Sequence, residues 1–210
     1  MISTIQKFNS ISSDLIKFCI EEYNSIGTYE TATMKKARPG ASVGMLQSII
    51  EAELNLSLIY CSGNYYSHNN SPYHPHTDYK KYQDNTINVV IPLSYTGYQS
   101  SLIIFDQLWD LDSVTWCMHK PVIRFETNTG VKGCPYEYPV LNLTNTSIDS
   151  NLYENYLDRY PKKCLFGLSG NAYLFEPGSM IIFDNKKIHC TGKMDGEKTG
   201  LSLRFKVAEL

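Results

Sequence analysis

The run Thr86-Ile87-Asn88-Val89-Val90-Ile91-Pro92-Leu93 constrains the fold more than any other stretch of the chain. Its β-branched residues suit a pleated surface and crowd a helix, so it predicts a strand. Pro92 cannot donate to a ladder and marks that strand's end or an edge. Similar runs flank it. Residues 54–60 alternate apolar and polar, residues 65–68 form a short strand, and residues 101–105 follow a turn at Gly97. Later the strands resume at short intervals, over residues 172–175, 179–184, 188–191 and the alternating 201–207. Ser62-Gly63-Asn64, Asn69-Asn70-Ser71-Pro72, Glu176-Pro177-Gly178 and Asn185-Lys186-Lys187 supply the turns between them.

Two helices precede the strands. Over residues 12–26, Leu15, Phe18 and Cys19 fall at helical spacing, with Ser12 or Ser13 as N-cap and Gly27 at the C-terminal cap. A polar loop covers residues 28–40, and Ser42 caps a second helix running to about Leu54. Helices followed by short antiparallel strands indicate a mainly β jelly-roll-like double sheet with helical support outside. Residues 106–170 break the strand rhythm. They hold Trp109, Trp116, the run Cys134-Pro135-Tyr136-Glu137-Tyr138-Pro139 and a predicted helix over 148–160. That stretch is too long to lack elements of its own, so it reads as an insertion over one mouth of the barrel and a candidate substrate lid. The 210 residues suffice for a single domain: 1–54 helical support, 55–105 and 171–207 barrel strands, 106–170 insertion.

Several classes are excluded. A formal net charge of -2 gives no electrostatic case for nucleic-acid binding. No apolar run is long enough to span a bilayer, and MISTIQKFNS lacks the pattern of a secretory leader. The six cysteines form no C-x-x-C pair, so free thiols in a reducing cytoplasm are expected.

The candidate chemistry centres on His76-Thr77-Asp78. On an extended segment both side chains leave the same face. An imidazole and a carboxylate are two of the three protein ligands of a non-haem Fe(II) site, and His189 is the candidate third. In sequence order, His76-Thr77-Asp78, the 88–93 strand, Pro177-Gly178-Ser179-Met180-Ile181-Ile182-Phe183-Asp184, His189 and Leu201-Ser202-Leu203-Arg204-Phe205 resemble the Fe(II)/2-oxoglutarate-dependent dioxygenases. The resemblance covers about residues 55 to 207, without the insertion.

It implies a double-stranded β-helix that brings His189 opposite the H-x-D. Further implications are Fe(II) held by His76, Asp78 and His189, with 2-oxoglutarate and O2 as co-substrates and a hydroxylated product beside succinate and CO2. An intact Asp78 argues against the halogenating relatives, which lack that carboxylate. The co-substrate's remote carboxylate needs a cation. Arg204, on one strand face with Ser202, is preferred, and Lys198, nearer behind the distal His, is the rival. Asn88 is a further co-substrate candidate.

The substrate is an unidentified small molecule or side chain; Lys80, Lys81, Lys186, Lys187 and Lys193 read as a solvated rim or, alternatively, as a surface that meets an anionic substrate or acidic partner. Trp109, Trp116, Lys80 and Lys187 are the candidate substrate contacts. Two other readings stand beside this one. His74-Pro75-His76 is a cupin-like H-x-H, but Tyr79, Lys80 and Lys81 stand where a cupin wants a Glu. A catalytically inactive jelly-roll binding module is the other.

Overall fold

The computed structural model describes residues 3–30, 34–69, 75–78, 84–97, 100–109, 115–119, 122–127, 130–133, 140–142 and 144–208. In chain order the elements are β1 (Ile5–Lys7), α1 (Ser13–Ser25), β2 (Tyr29–Glu30), β3 (Lys35–Ala37), α2 (Ser42–Leu54) and β4 (Leu58–Asn69). Next come β5 (Thr86–Tyr95), β6 (Ser101–Trp109), β7 (Thr115–His119), β8 (Val122–Thr127), β9 (Gly130–Gly133) and β10 (Val140–Leu141). After a short helical segment follow β11 (Gly170–Leu174), β12 (Met180–Asp184), β13 (Lys187–Thr191) and β14 (Glu197–Val207).

Two sheets face each other. The major one runs β1-β12-β5-β14-β4-β3-β2; in the minor one β6 pairs with β11 and β10 on one side and β13 on the other. All these pairings are antiparallel, and the architecture is a double-stranded β-helix, as the jelly-roll reading expected. Strand alternation sorts the residues into layers. Ile87, Val89 and Ile91 of β5 and Leu201, Leu203 and Phe205 of β14 pack outward with Leu46 and Ile50 of α2 and Cys19 of α1. Val90, Ile181 and Phe183 face inward and meet Leu102 and Ile104 of β6 and Phe175. On the far side of the minor sheet, Ile103, Phe105, Ile188 and Cys190 pack under Ile148, Leu152, Leu157, Tyr160 and Leu165. That part of the 106–170 stretch therefore covers the minor sheet's outer face. Within the same stretch β7, β8 and β9 form a separate three-stranded sheet.

Several local expectations are corrected. Residues 62–64 are no turn, because β4 runs through them; Gly63 sits where a Cβ would lie 2.6 Å from Leu203 Cδ2, so close strand packing explains the glycine. β4 begins at Leu58, not Leu54, because α2 extends to Leu54 and Asn55 caps it in the left-handed region (φ 52°). α1 ends at Ser25 with extended Ile26 as its cap, so Gly27 plays no left-handed role. Ser12 does cap α1, accepting from the Leu15 amide at 3.2 Å.

Ser42 lies inside α2, and the cap comes from another helix. Glu22 of α1 accepts from the Gly40 and Ser42 amides, the Ser42 hydroxyl and the Tyr65 phenol. Pro92 is internal to β5; its partner is Gly200, beside a bulge between Thr199 and Gly200. The 28–40 stretch holds β2 and β3, which widen the major sheet. The helix expected over 148–160 is one α-turn, Ser150–Leu152, continued by a π-helical turn, Tyr153–Leu157. Among the described residues Cys19, Cys61 and Cys190 are free thiols, and no described helix is long and apolar enough to cross a membrane.

Candidate active site

The H-x-D segment is held as an additional short strand. His76 and His189 exchange both backbone hydrogen bonds, each at 2.9 Å, so the segment docks along the free edge of β13. This pairing brings together residues 113 positions apart in the sequence. The imidazole centroids lie 4.2 Å apart, and His189 Nε2 is 3.6 Å from Asp78 Oδ2. One donor atom from each of His76, Asp78 and His189 lies within 4.8 Å of the other two.

The surroundings prepare these atoms for a cation. His189 Nδ1 lies 3.1 Å from the Lys187 carbonyl, which fixes the ring and turns Nε2 toward Asp78. Phe183 packs edge-on against the same ring at 4.8 Å. Burial alone would raise the Asp78 pKa, but Arg204 and then His189 and His76 hold the carboxyl well below the usual carboxylate range. Arg204 Nη2 donates to Asp78 Oδ1 at 3.0 Å, and Asn88 Nδ2 donates to Oδ2 at 3.3 Å. The donor set, two imidazoles and an ionised carboxylate, suits a divalent transition metal and leaves coordination positions free.

The corner formed by His76, Asp78 and His189 opens into a cavity of about 90 Å³ between the sheets. Its major-sheet wall is a grid fixed by register. Asn88, Arg204 and Ser62 lie in one row; Val90, Ser202 and Asn64 in the next; Pro92, Gly200, Tyr66 and Lys36 in the third; and Lys198 faces His68 in the fourth. Gly200 leaves room for the Tyr66 phenol, whose Oη would stand 2.6 Å from an added Cβ.

Lys198 closes the far end. It is 2% exposed, its Nζ donates to Thr191 Oγ1 across the two sheets at 3.2 Å, and it lies 4.9 Å from the Phe175 ring centre. Burial pushes its pKa down to about 7. Burial, with Lys198 and Lys36 nearby, pushes His68 down to about 3, so that imidazole is neutral. Thr191 is two residues past His189 and faces the same side of β13, a signal the sequence held and its reading passed over. Lys36 was missed because its strand carries no apolar alternation.

The cations expected at the rim are arranged differently. Lys187 Nζ lies 3.9 Å from Asp106, Lys186 bonds Asp84 at 3.3 Å, and Lys193 bonds Asp158. Each thus has an acidic partner. Lys80, Lys81 and His74 lie outside the described residues, as do Tyr136 and Tyr138 and the side chains of Trp109 and Trp116. Cys190 packs in the outer cluster with Tyr160, although the residue also borders the cavity.

No family model matches the chain, and no curated protein matches it. Solved structures do. HygX from Streptomyces hygroscopicus, crystallised with nickel, 2-oxoglutarate and hygromycin B, aligns with a TM-score of 0.56 at 11% identity over 97% of this chain and 82% of that one. The non-haem α-ketoglutarate-dependent epimerase SnoN of nogalamycin biosynthesis aligns at 0.55 and 8% identity, over 97% and 78%. A 2OG-Fe(II) oxygenase family oxidoreductase from Burkholderia pseudomallei aligns at 0.55 and 9% identity, over 97% and 84%. These likenesses establish the fold, which is the one the sequence resemblance implied.

Proposed function

We propose that this chain is an Fe(II)- and 2-oxoglutarate-dependent oxygenase that hydroxylates a small-molecule or side-chain substrate. One observation carries the reading: His76, Asp78 and His189 converge at one end of a double-stranded β-helix cavity whose other end is a buried Lys198. Iron(II) held there would let O2 oxidise the substrate and 2-oxoglutarate together, one oxygen atom going to the hydroxylated product and the other to succinate, with CO2 released.

The geometry supports a role for each of the chain's own residues. His76, Asp78 and His189 supply the ligating atoms. Arg204 keeps Asp78 ionised through Nη2 and Asn88 helps orient it; this sets the arginine preferred from sequence at the His-Asp-His end and favours Lys198, at the other end beside Thr191, as the co-substrate cation. Its ammonium and the Thr191 hydroxyl meet the remote carboxylate of 2-oxoglutarate, restoring the charge partner that burial denies the lysine. Ser202 lines the same cavity and contributes polarity between the two ends. Val90, Leu102 and Phe175 give the cavity apolar walls that keep bulk water off the reacting groups. An anionic substrate draws no support from Lys186, Lys187 and Lys193, which already face acids. The case for one moves inward, as argued below.

The test is succinate formation from 2-oxoglutarate. The purified chain reconstituted with Fe(II) in air should produce iron-dependent succinate, slowly without the true substrate, and His189→Ala should not. Succinate at the no-protein background, or equal production by His189→Ala, contradicts the reading.

A further inference from the structure

The cavity wall holds more positive charge than metal and co-substrate need. Lys36, Lys198 and Arg204 line it, and Asp78 is the single carboxylate among the described lining residues. His68 adds no charge, being held neutral. A divalent metal and dianionic 2-oxoglutarate cancel each other, so the loaded site keeps two positive charges in excess. Excess charge in an enclosed, partly desolvated site is costly unless an anion joins it.

The geometry locates the vacant partner. Lys36 lies on β3, opposite Tyr66 of β4, one row from Lys198 and two from Arg204, and lines the same cavity. It is half-buried, and burial lowers its pKa, opposed by Asp78 and reinforced by Arg204. Both groups therefore act on Lys36 across the cavity. Arg204 spends Nη2 on Asp78, while its Nε is buried with no hydrogen-bond partner among the described residues. Buried donors without acceptors are rare in folded proteins, and this one belongs to a residue that lines the cavity. Asn64, two residues from Tyr66 on the same strand face, adds an amide whose oxygen already accepts from Tyr29 Oη at 2.7 Å, so its NH2 is oriented.

We infer that Lys36 and Arg204 form a subsite for an anionic group of the substrate, a carboxylate or the head of a phosphate ester. The substrate's anion then rests between Lys36 and Arg204, which places its neighbouring carbons toward the His-Asp-His corner. Lys36 is a specificity-determining residue and Lys198 serves the co-substrate. This inference rests on the oxygenase reading and adds a substrate class to it.

The test uses the chain loaded with Ni(II) and saturating 2-oxoglutarate, which does not turn over. Benzoate, phenyl phosphate and benzamide are added separately, and the thermal midpoint is read. At least one of the two anions should raise the midpoint while benzamide leaves it unchanged, and the better anion identifies the group. Lys36→Met should abolish that rise yet leave the 2-oxoglutarate Kd within about twofold of wild type. Equal effects of benzamide and both anions, or a full rise in Lys36→Met, overturn the inference. Loss of 2-oxoglutarate binding in Lys36→Met overturns it too, by moving Lys36 to the co-substrate. If nickel-loaded wild type fails to bind 2-oxoglutarate at all, the underlying oxygenase reading falls, and this one with it.

Discussion

Replacing Lys198 by Met separates the two cations that sequence alone left in competition. Methionine is one atom shorter than lysine, still packs against Phe175, and removes the charge together with the hydrogen bond to Thr191. A hydrogen bond to a charged group contributes about 1.5 to 3 kcal/mol, so the Kd for 2-oxoglutarate should rise about tenfold to a hundredfold. The binding needs the ammonium form, and burial places the Lys198 pKa at about 7 in the free protein. Wild-type affinity should therefore weaken as pH rises above 7, while the residual affinity of Lys198→Met stays flat.

The stability effect has the opposite sign. The folded pKa lies below the unfolded value of about 10.4, so between the two the unfolded chain binds more protons. Stability of the ligand-free protein should climb with pH from about 7, by at most about 1.4 kcal/mol per unit, and level off above the unfolded pKa. Lys198→Met should lack this climb and be at least as stable as wild type at pH 7. Isothermal titration calorimetry with Mn(II) present gives the affinities, and chemical denaturation at several pH values gives the stabilities. An unchanged Kd in Lys198→Met, with collapse in Arg204→Met, would refute the assignment of Lys198.

Three further outcomes follow from the packing. Arg204→Met should weaken metal binding more than co-substrate binding, because it removes the partner that keeps Asp78 ionised; Co(II) titration by visible absorption reads this, with the largest loss toward acid pH. Gly63→Ala forces a methyl to within 2.6 Å of Leu203 Cδ2 and should cost about 1 to 3 kcal/mol, a fall of roughly 2 to 12 °C in Tm by calorimetry. Glu22→Gln should destabilise by about 1 to 2 kcal/mol by weakening the α2 cap and the bond to Tyr65. Although burial opposes it, hydrogen bonding lowers the Glu22 pKa, so that stability is present above the unfolded carboxyl pKa and is lost as pH falls through the folded one. Denaturation of wild type and Glu22→Gln should accordingly converge in acid.

The sequence made the sheets legible because their strands are apolar and alternate. Val89-Val90-Ile91 and Leu201-Ser202-Leu203 announce which residues share a face, and the structure sorts them that way. The juxtaposition of His76, Asp78 and His189 was legible for the same reason, since a period of two aligns the first pair and the fold resemblance supplied the third. What stayed hidden depends on partners remote in the chain. No local pattern tells that Glu22 caps a helix beginning twenty residues later. Nor does spacing reveal that Arg204 turns toward Asp78 while Lys198 bonds Thr191 at the other end. Lys36 lies on a three-residue strand that pairs through its backbone and carries no hydrophobic period, so it read as loop.

The central claim is that His76, Asp78 and His189 hold Fe(II) in a cavity built to add 2-oxoglutarate. Anaerobic titration of the Fe(II)-loaded chain with 2-oxoglutarate tests it most directly, through the weak visible metal-to-ligand charge-transfer band that an iron-chelated 2-oxo acid gives. The account predicts a saturable band that His189→Ala lacks and that Lys198→Met develops only at higher 2-oxoglutarate. No band in wild type, or an undiminished band in His189→Ala, would contradict it.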